Sequence, residues 1–284
     1  MNEYSTITTN EFDKGRVNWL NYCDRGRFRP LLYVASTGGM CNRIFGLASA
    51  MSKAVAEGRL LKVYWPLNGE DGTSVRWSDL FTNEIDLFTE WDLYWIMDIA
   101  HEVAWHHRIE NACSTFDTTN IVVVKSQTAY FDELPGDKLD QRIDLSVGLS
   151  WLMSLTIQPD ILEKVKDFCL PRNTLGVHLR VHEERFQCDY FKENPINPEL
   201  LKKIDDWQGA VLVMSNSPTA KMHLAKIFGS KILQQEDIKY ERDSTGCKSA
   251  MVDLLLLSRC VERIGNNSST FFMLANRWSN KKFP

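Results

Sequence analysis

The chain has 284 residues, of which 44% are hydrophobic and 25% charged, as is typical of a soluble globular protein large enough for two packed domains. Its formal net charge of -4 argues against the broad basic surface of a nucleic-acid-binding protein, so we expect no nucleic-acid partner. Seven cysteines without CxxC spacing cannot all pair within one chain, which favours reduced thiols in a cytoplasmic compartment.

Targeting and membrane segments are not evident in the sequence. Residues 1–16 include acidic side chains and no apolar run, which is not typical of a secretory signal. The longest strongly apolar run, 251–257, contains Asp253 and is too short to cross a bilayer. We therefore expect a soluble cytoplasmic protein with no membrane span.

The first half of the chain alternates predicted strands and helices. An apolar run at 31–36 predicts a strand, a glycine-rich turn follows it, and 42–58 predicts a helix with Gly58 as its C-cap. A second strand at 60–66 completes a β-turn-α-β unit, which indicates a parallel sheet with right-handed crossovers. After a Trp- and His-rich middle that shows no clear period, the predicted elements are a strand at 121–125 and a helix at 145–155.

A second alternation of strands and helices fills the rest of the chain. Pro171 interrupts regular structure, so we predict a boundary there between an N-terminal domain, 1–170, and a C-terminal domain, 171–284. Because ligands bind at the carboxyl ends of strands in α/β sheets, we expect the ligand in a cleft between the domains. The later predicted strands are 175–180, 210–215, 231–234 and 262–266, and the predicted helices are 198–207, 217–229, 249–260 and 268–278.

Two glycines separate the first strand from the first helix. Gly38 and Gly39 would let backbone N–H groups approach a ligand, and Asn42 and Arg43 follow near the helix N-terminus, which favours an anion. The turn matches neither GxGxxG nor a Walker A loop. It is either an ordinary strand-to-helix turn or a binding turn, and Asn42 and Arg43 are either capping and surface groups or ligands.

Carboxylates follow the second predicted strand. Glu70 and Asp71 lie between glycines, and Asp79 comes shortly after them. A loop at the end of a strand is a common place for a general base, and a solvated turn explains the same residues equally well. The sequence leaves both interpretations open.

Histidines cluster in the Trp-rich middle of the chain. His101, Glu102, His106 and His107 lack HExxH spacing and have no cysteine at ligand spacing. We interpret them as structural and expect no metal cofactor.

The predicted strand at 175–180 ends in an unusual pair of side chains. His178 and Arg180 are two residues apart, so they point to the same face of the strand. A buried strand seldom carries such groups without a partner, and the arginine fork suits phosphate. The pair either binds phosphate or contacts a structural carboxylate.

Polar residues at later strand ends and helix starts extend this candidate site. Hydroxyls and N–H groups at a helix start can hold phosphate, although serine and threonine are also ordinary N-caps. Arg242, in a polar loop, is a second candidate for binding a diphosphate. The remaining candidates are Ser215, Asn216, Ser268, Ser269 and Thr270.

Four motifs, taken in order, resemble those of a known enzyme family. STGGMCNRIFGLASAMSKAVAEGRLLKVYWP, LGVHLR, VLVMSNSP and SAMVDLLLLSRCVERIGNNSSTFF span most of 31–275. They are similar to motifs of the inverting GT-B glycosyltransferases related to the fucosyltransferases, which include nodulation and core α-1,6-fucosyltransferases, protein O-fucosyltransferases and chlorella-virus relatives. The resemblance implies an α/β fold in which two Rossmann-like domains face a central cleft, with the acceptor on the N-terminal domain and the nucleotide sugar on the C-terminal domain.

The resemblance also implies roles for individual residues. The group near the donor sugar and acceptor would comprise Gly38, Gly39, Asn42 and Arg43. The nucleotide-binding group would comprise His178 and Arg180 at the ribose and diphosphate, Asp253 at the base, and Ser268, Ser269 and Thr270 at the phosphate.

The implied reaction is an inverting sugar transfer that needs no metal or other cofactor. Asp71 would take a proton from an acceptor hydroxyl as that oxygen attacks the anomeric carbon, and Arg180 would stabilise the departing diphosphate. Glu70 and Asp79 are the alternative bases. The expected partners are a UDP-sugar such as UDP-xylose, or GDP-fucose, and a glycan or glycoprotein acceptor.

Two departures from the family pattern leave the donor open. Fucosyltransferases often continue the His-x-Arg strand with Arg-Thr-Asp, whereas this chain has Val181-His182-Glu183. The segment 65–81 looks more like relatives of which some use UDP-sugars. A non-catalytic sugar- or nucleotide-binding relative and a nucleotide-dependent oxidoreductase are the alternatives, and the oxidoreductase would typically show GxGxxG where this chain has GGMCNR.

Overall fold

The computed structural model describes residues 30–35, 38–67, 73–87, 103–106, 121–125, 144–181, 196–235, 241–267, 269–279 and 281. Within these ranges the chain forms parallel sheets and helices, which confirms the predicted α/β class. None of the helices in this part of the chain combines the length and apolar character needed to cross a bilayer.

The chain divides into two compact units. The first contains residues 1–77 and 83–155, and the second contains 78–82 and 156–284. The change to the second unit therefore falls before residue 156, not at the predicted boundary of 170/171. The reason is a helix at Pro159–Asp167, which was not predicted and which packs on the later helix Ser244–Arg259.

The first unit contains a parallel sheet with strand order β2-β1-β4-β3. The predicted strands and helices of this unit are confirmed, and β3 is an additional strand from the Trp- and His-rich middle. The bounds are β1 Pro30–Val34, α1 Met40–Ala56, β2 Leu60–Tyr64, β3 Val103–His106, β4 Ile121–Lys125 and α3 Leu145–Ser154. A short helix, α2 Trp77–Leu80, begins at the last residue before the segment 78–82, which belongs to the second unit.

Helices α1 and α3 approach each other closely because one glycine lies between them. A Cβ on Gly148 would lie 2.0 Å from the carbonyl oxygen of Ala48. The N–H of Gly148, in the first turn of α3, donates a hydrogen bond of 2.8 Å to Ser52 Oγ of α1. The glycine therefore fixes α3 against the helix that carries the glycine-rich turn at its start.

The second unit contains another parallel sheet, with strand order β7-β6-β5-β8. Its strands and its last four helices confirm the predicted alternation. The bounds are α4 Pro159–Asp167, β5 Thr174–Leu179, α5 Pro198–Asp206, β6 Ala210–Ser215, α6 Pro218–Phe228, β7 Ile232–Leu233, α7 Ser244–Arg259, β8 Glu262–Gly265 and α8 Thr270–Trp278.

Helices cover both faces of this second sheet. Side chains alternate along a strand, so odd- and even-numbered residues of β5 point to opposite faces. Leu175, Val177 and Leu179 pack in a core with residues of α5 and α6. A Cβ on Gly176 would instead lie 2.5 Å from the side chain of Leu257, so α7 covers the other face.

Helices α6 and α7 of the second unit begin with capping side chains after β6 and β7. Ser217 caps α6 directly after β6 by accepting a hydrogen bond of 3.3 Å from the N–H of Ala220. Asp243 caps α7 by accepting one of 2.8 Å from the N–H of Gly246. These caps bring helix N-termini, with their partial positive charge, to the edge where the candidate residues lie.

Candidate functional site

The carboxyl ends of three neighbouring strands bring the predicted nucleotide-binding residues to one edge of the second sheet. His178 of β5 stands opposite Met214 of β6 on one side and Gly265 of β8 on the other. Leu179 stands opposite Ser215, so Arg180 and Asn216 both come directly after strand ends. In parallel α/β sheets this edge is where ligands bind.

Of the predicted nucleotide-binding residues at this edge, His178 has the most fully described surroundings. Its side chain is buried, and its ring stacks on Phe271 with a centroid distance of 5.1 Å and an interplanar angle of 15°. Among the described residues, no group forms a hydrogen bond with its Nδ1. Burial, with a smaller effect from the charge of Arg180, lowers the pKa of His178 to about 4, so the ring is neutral at pH 7 and Nδ1 or its proton is available to a ligand.

Gly265 makes the position of His178 possible. A Cβ at residue 265 would lie 2.8 Å from Cδ2 of Phe272 and 3.0 Å from Cβ of His178. The ring of Phe272 is also stacked with His178, at 6.0 Å between centroids. Sequence analysis missed these contacts, although the GNNSSTFF segment could have drawn attention to a glycine before two adjacent aromatic residues.

Asn216 fixes the path of the chain after Arg180. Its Oδ1 accepts a hydrogen bond of 2.9 Å from the N–H of Val181, and its Nδ2 donates one of 2.6 Å to the carbonyl of the same residue. The buried Ser215 accepts from the N–H of Ser217 at 3.1 Å. Arg180 itself is exposed beside this clamp, at a place where an arginine side chain can bind an anion. Direct contact of Ser215 and Asn216 with a nucleotide stays a prediction.

Asp253 lies on α7 in a buried position, and its partner was not identified from the sequence. The Nζ of Lys221, on α6, is 3.9 Å from Oδ2 of Asp253. Burial raises the pKa of Asp253 to about 6, and the lysine opposes that rise. The sequence offered two signals of this pair: a lysine shortly after a strand end and an acid inside an apolar helix. That the two side chains pair with each other depends on the fold.

The start of α8 and the loop before α7 carry the other predicted phosphate ligands. Ser269 is the N-cap of α8, where its side chain forms no capping hydrogen bond to the helix, and Thr270 is the first helical residue. Arg242 is exposed immediately before the Asp243 cap. Ser268 lies outside the described residues. The N–H groups at a helix start suit a phosphate, and binding there stays a prediction.

The glycine-rich turn belongs to the first unit. Gly38 has φ 78°, a conformation that favours glycine. Among the described residues, none apart from the chain neighbours of Gly39 has an atom within 4 Å of a Cβ placed on Gly39. The half-buried Asn42 follows in the first turn of α1. The predicted strand-glycine turn-helix arrangement is thus present, with α1 beginning at Met40 rather than at residue 42.

Arg43 was expected to contact a substrate directly, whereas its observed contacts are with the backbone of the first unit. Its side chain is fully buried, and it donates hydrogen bonds to the carbonyls of Gly38 at 3.0 Å, Pro66 at 3.4 Å and Thr73 at 3.3 Å. A buried arginine needs such acceptors. Its observed contacts position the glycine turn relative to both ends of the segment that contains Glu70 and Asp71.

The candidate bases fall into two groups. Glu70 and Asp71 lie outside the described residues, so the prediction that Asp71 is the base is untested. Asp79 is half-buried, and its Oδ2 accepts a hydrogen bond of 2.9 Å from Oγ of Ser244 at the start of α7. That contact gives Asp79 a structural function and leaves it an alternative base only.

The structure describes few of the residues considered for a metal site. His106 lies in β3, whereas His101, Glu102 and His107 lie outside the described residues. In the described ranges no three His, Cys, Asp or Glu side chains form a group that could hold a metal ion. A metal-independent reaction stays a prediction.

Sequence comparisons identify no relative, whereas structural comparisons identify proteins of similar fold. No protein-family model and no curated protein match the sequence. Fucosyltransferase NodZ from Bradyrhizobium, which has also been solved after soaking with GDP-fucose, superposes with a TM-score of 0.58 and 15% identity over 87% of this chain and 92% of its own. A mutant of Arabidopsis thaliana FUT1 in complex with GDP gives a TM-score of 0.59 and 15% identity over 95% of this chain and 74% of its own.

A third solved structure gives a similar result. POFUT1 in complex with GDP-fucose superposes with a TM-score of 0.53 and 12% identity over 88% of this chain and 94% of its own. The resemblance inferred from the four motifs is therefore confirmed at the level of the fold. This chain has the α/β fold of the fucosyltransferase-like GT-B glycosyltransferases.

Proposed function

We propose that the protein is a glycosyltransferase that moves a sugar from a nucleotide diphosphate sugar to a hydroxyl of a glycan or glycoprotein. One observation carries the proposal: a buried, neutral His178 followed by an exposed Arg180 ends the central strand β5. This pair lies at the ligand-binding edge of a sheet, in a fold whose solved representatives hold GDP or GDP-fucose.

The departing nucleotide diphosphate explains why the proposed site carries positively charged residues. Cleavage of the donor places growing negative charge on the diphosphate, and a fixed cation is most useful where that charge develops. Arg180 supplies such a cation, and Arg242 and the N-terminus of α8 are further sources of positive potential. In this proposal they do the work that a metal ion does in other glycosyltransferases.

Sugar transfer also requires a base for the acceptor. Asp71 takes the proton from the acceptor hydroxyl while its oxygen attacks the anomeric carbon from the face opposite the leaving diphosphate. This geometry inverts the anomeric configuration. We assign binding of the acceptor to the first unit, at the glycine turn of Gly38, Gly39 and Asn42, which the buried Arg43 holds.

The donor is either a GDP-sugar such as GDP-fucose or a UDP-sugar such as UDP-xylose. GDP is favoured by the ligands of the solved representatives, whereas the Val181-His182-Glu183 sequence departs from the fucosyltransferase pattern. The same ligand panel that tests the proposal decides between the two.

Thermal unfolding in the presence of GDP, UDP, GDP-fucose, UDP-xylose or NAD tests this function. A ligand of the folded state at a hundredfold excess over its Kd adds about 2.7 kcal/mol of stability, so the unfolding midpoint rises. We expect a rise with GDP or UDP and their sugars that EDTA does not remove. The rise should be lost in Arg180→Ala.

Arg172→Ala is the matched control for this experiment. Arg172 is exposed just before β5, at the opposite edge of the same sheet, so its removal changes the net charge equally without altering the proposed site. A midpoint raised by NAD alone, or by no member of the panel, would contradict the proposed function. Ligand binding without any sugar transfer would instead favour a non-catalytic relative.

A further inference from the structure

A buried ion pair joins the two helical layers of the second unit. Helices α6 and α7 cover opposite faces of the sheet, as the contacts of Val177 and Gly176 show. Nevertheless Lys221 of α6 faces Asp253 of α7. Because Lys221 lies near the start of the helix that follows β6, the two side chains meet close to the carboxyl ends of the strands, near the edge that carries His178.

The carboxylate of Asp253 is only partly satisfied by this pair. The side chains of Lys221 and Asp253 are 3% and 10% exposed, and Nζ and Oδ2 are 3.9 Å apart, beyond the length of a direct hydrogen bond. No described residue forms a hydrogen bond with Oδ1. A buried carboxylate normally has its oxygens satisfied, so Oδ1 has capacity for a donor that arrives with a ligand.

Apart from Lys221 and Asp253, the described charged residues on the helices around α7 are exposed or paired with one another. On β5, His178 is neutral at pH 7, and β6 carries no titratable side chain. Lys248 of α7 pairs with Asp160 of α4 at 2.8 Å. Of the remaining charged or titratable residues of α4, α6, α7 and α8, the thiol of Cys247 is buried. The others are exposed: Glu163, Lys164, Lys166, Asp167, His223, Lys226, Arg259 and Arg277.

We propose that Lys221 is a positioning residue of the donor site: it keeps Asp253 ionised and draws Oδ2 toward itself, so that Oδ1 accepts a hydrogen bond from an N–H of the nucleotide base. The inference rests on the proposed function, and Lys221 itself does not touch the nucleotide. It follows that base binding depends on pH through Asp253, and that Lys221 sets the pH at which binding is lost.

Calorimetric titration with GDP and with UDP between pH 5 and pH 9 tests the inference. Lys221→Met keeps the length of the side chain and removes its charge, which raises the pKa of Asp253 and leaves more of it neutral at pH 7. We expect nucleotide affinity at pH 7 to fall about tenfold, the loss of one charge-assisted hydrogen bond. The affinity should return toward the wild-type value at pH 9, where Asp253 is ionised again.

Three further variants separate positioning from general stability. Lys221→Arg keeps the charge and should restore the wild-type pH profile, and Lys226→Met removes an exposed lysine from the same helix and should change nothing. In an Asp253→Asn background, Lys221→Met should have no further effect on affinity. This double variant contains no uncompensated buried charge, so it keeps the test valid if the single variant folds poorly.

The possible failures are distinguishable. Wild-type affinity and an unchanged pH profile in folded Lys221→Met would overturn the positioning role while leaving the proposed function intact. An equal loss of affinity at all pH values, not rescued by Lys221→Arg, would show a packing role instead and would also overturn it. Failure of the wild-type protein to bind either nucleotide would overturn the proposed function and this inference together.

Discussion

Arg180 is exposed directly after the end of β5. We predict that Arg180→Ala lowers the rate of sugar transfer by about two to three orders of magnitude, as removal of one transition-state donor does elsewhere. The free energy of unfolding should change by less than about 0.5 kcal/mol, as is usual for surface substitutions. Initial-rate kinetics measure the rate of transfer, and urea denaturation measures the free energy of unfolding. Arg172→Ala is the control variant in both measurements.

His178 and Asp253 should give the stability of the protein opposite dependences on pH. The pKa of His178 falls from 6.5 to about 4 on folding, so its contribution is complete above pH 6.5 and is lost as the pH falls toward 4. The pKa of Asp253 rises from 3.8 to about 6, so its contribution is complete below pH 3.8 and is lost as the pH rises toward 6. The two effects oppose each other between about pH 4 and pH 6.

Replacing either residue should therefore expose the effect of the other. Relative to wild type, the unfolding free energy of His178→Phe should improve as the pH falls from 6.5 to 4.5, and that of Asp253→Asn should improve as the pH rises from 4.5 to 6. Each slope approaches about 1.4 kcal/mol per pH unit, the value for one proton. Urea denaturation across this range measures the slopes, and parallel curves for variant and wild type would contradict the burial of these groups.

Strand β8 and helix α8 depend on each other through a single glycine. In Gly265→Ala the added methyl group would press on Phe272 and on His178, so we predict a loss of about 1–3 kcal/mol in the free energy of unfolding, typical of overpacking. Nucleotide affinity should fall as well, because the imidazole is displaced.

Gly39→Ala is the control for stability, since a Cβ at residue 39 has open space around it. If Gly265→Ala were as stable as this control and still bound nucleotide normally, the stacking of His178 on α8 would not matter for the site. Circular dichroism melting and the titration already described give the two readouts.

The elements that could be predicted from the sequence are those with strong local signals. The run AVLVMS is bounded by turn residues and forms β6 over Ala210–Ser215 as predicted. Helix α4 was missed although Pro159 at its start and the buried pair Ile161 and Val165, four residues apart, are signals of an amphipathic helix. Strand β3 was missed because VAWH, four residues long, lies in a segment dominated by Trp and His.

The site could be predicted only where its residues follow strand ends. His178 and Arg180 were identified because two such groups in a buried strand are unusual. The partners that define their chemistry are far away in sequence: Phe271 stacks on His178, and Lys221 faces Asp253. Local patterns hold no information about such pairs, because the sheet order that brings them together is set by the whole unit.

At the level of the whole molecule, the proposed reaction predicts independence from divalent metal. Protein treated with EDTA should transfer sugar at the rate of untreated protein, because Arg180 and the helix N-terminus supply the positive charge. Initial rates with EDTA, with added Mg²⁺ and with added Mn²⁺ measure this. Activity that EDTA abolishes and Mn²⁺ restores would show that a metal neutralises the diphosphate instead.

The second unit is built from two separate stretches of chain. Phe81 forms a bridge with Ile157, and the side chain of Gln158 donates hydrogen bonds to the carbonyls of Ser78 and Phe81 at 2.7 and 3.0 Å. Residues 78–82 leave the ribosome long before residues 156–158, so this part of the unit cannot close until the intervening polypeptide has been made. A truncation that starts at residue 156 would omit its earliest-synthesised piece, and a split or circularly permuted version would have to carry 78–82 along.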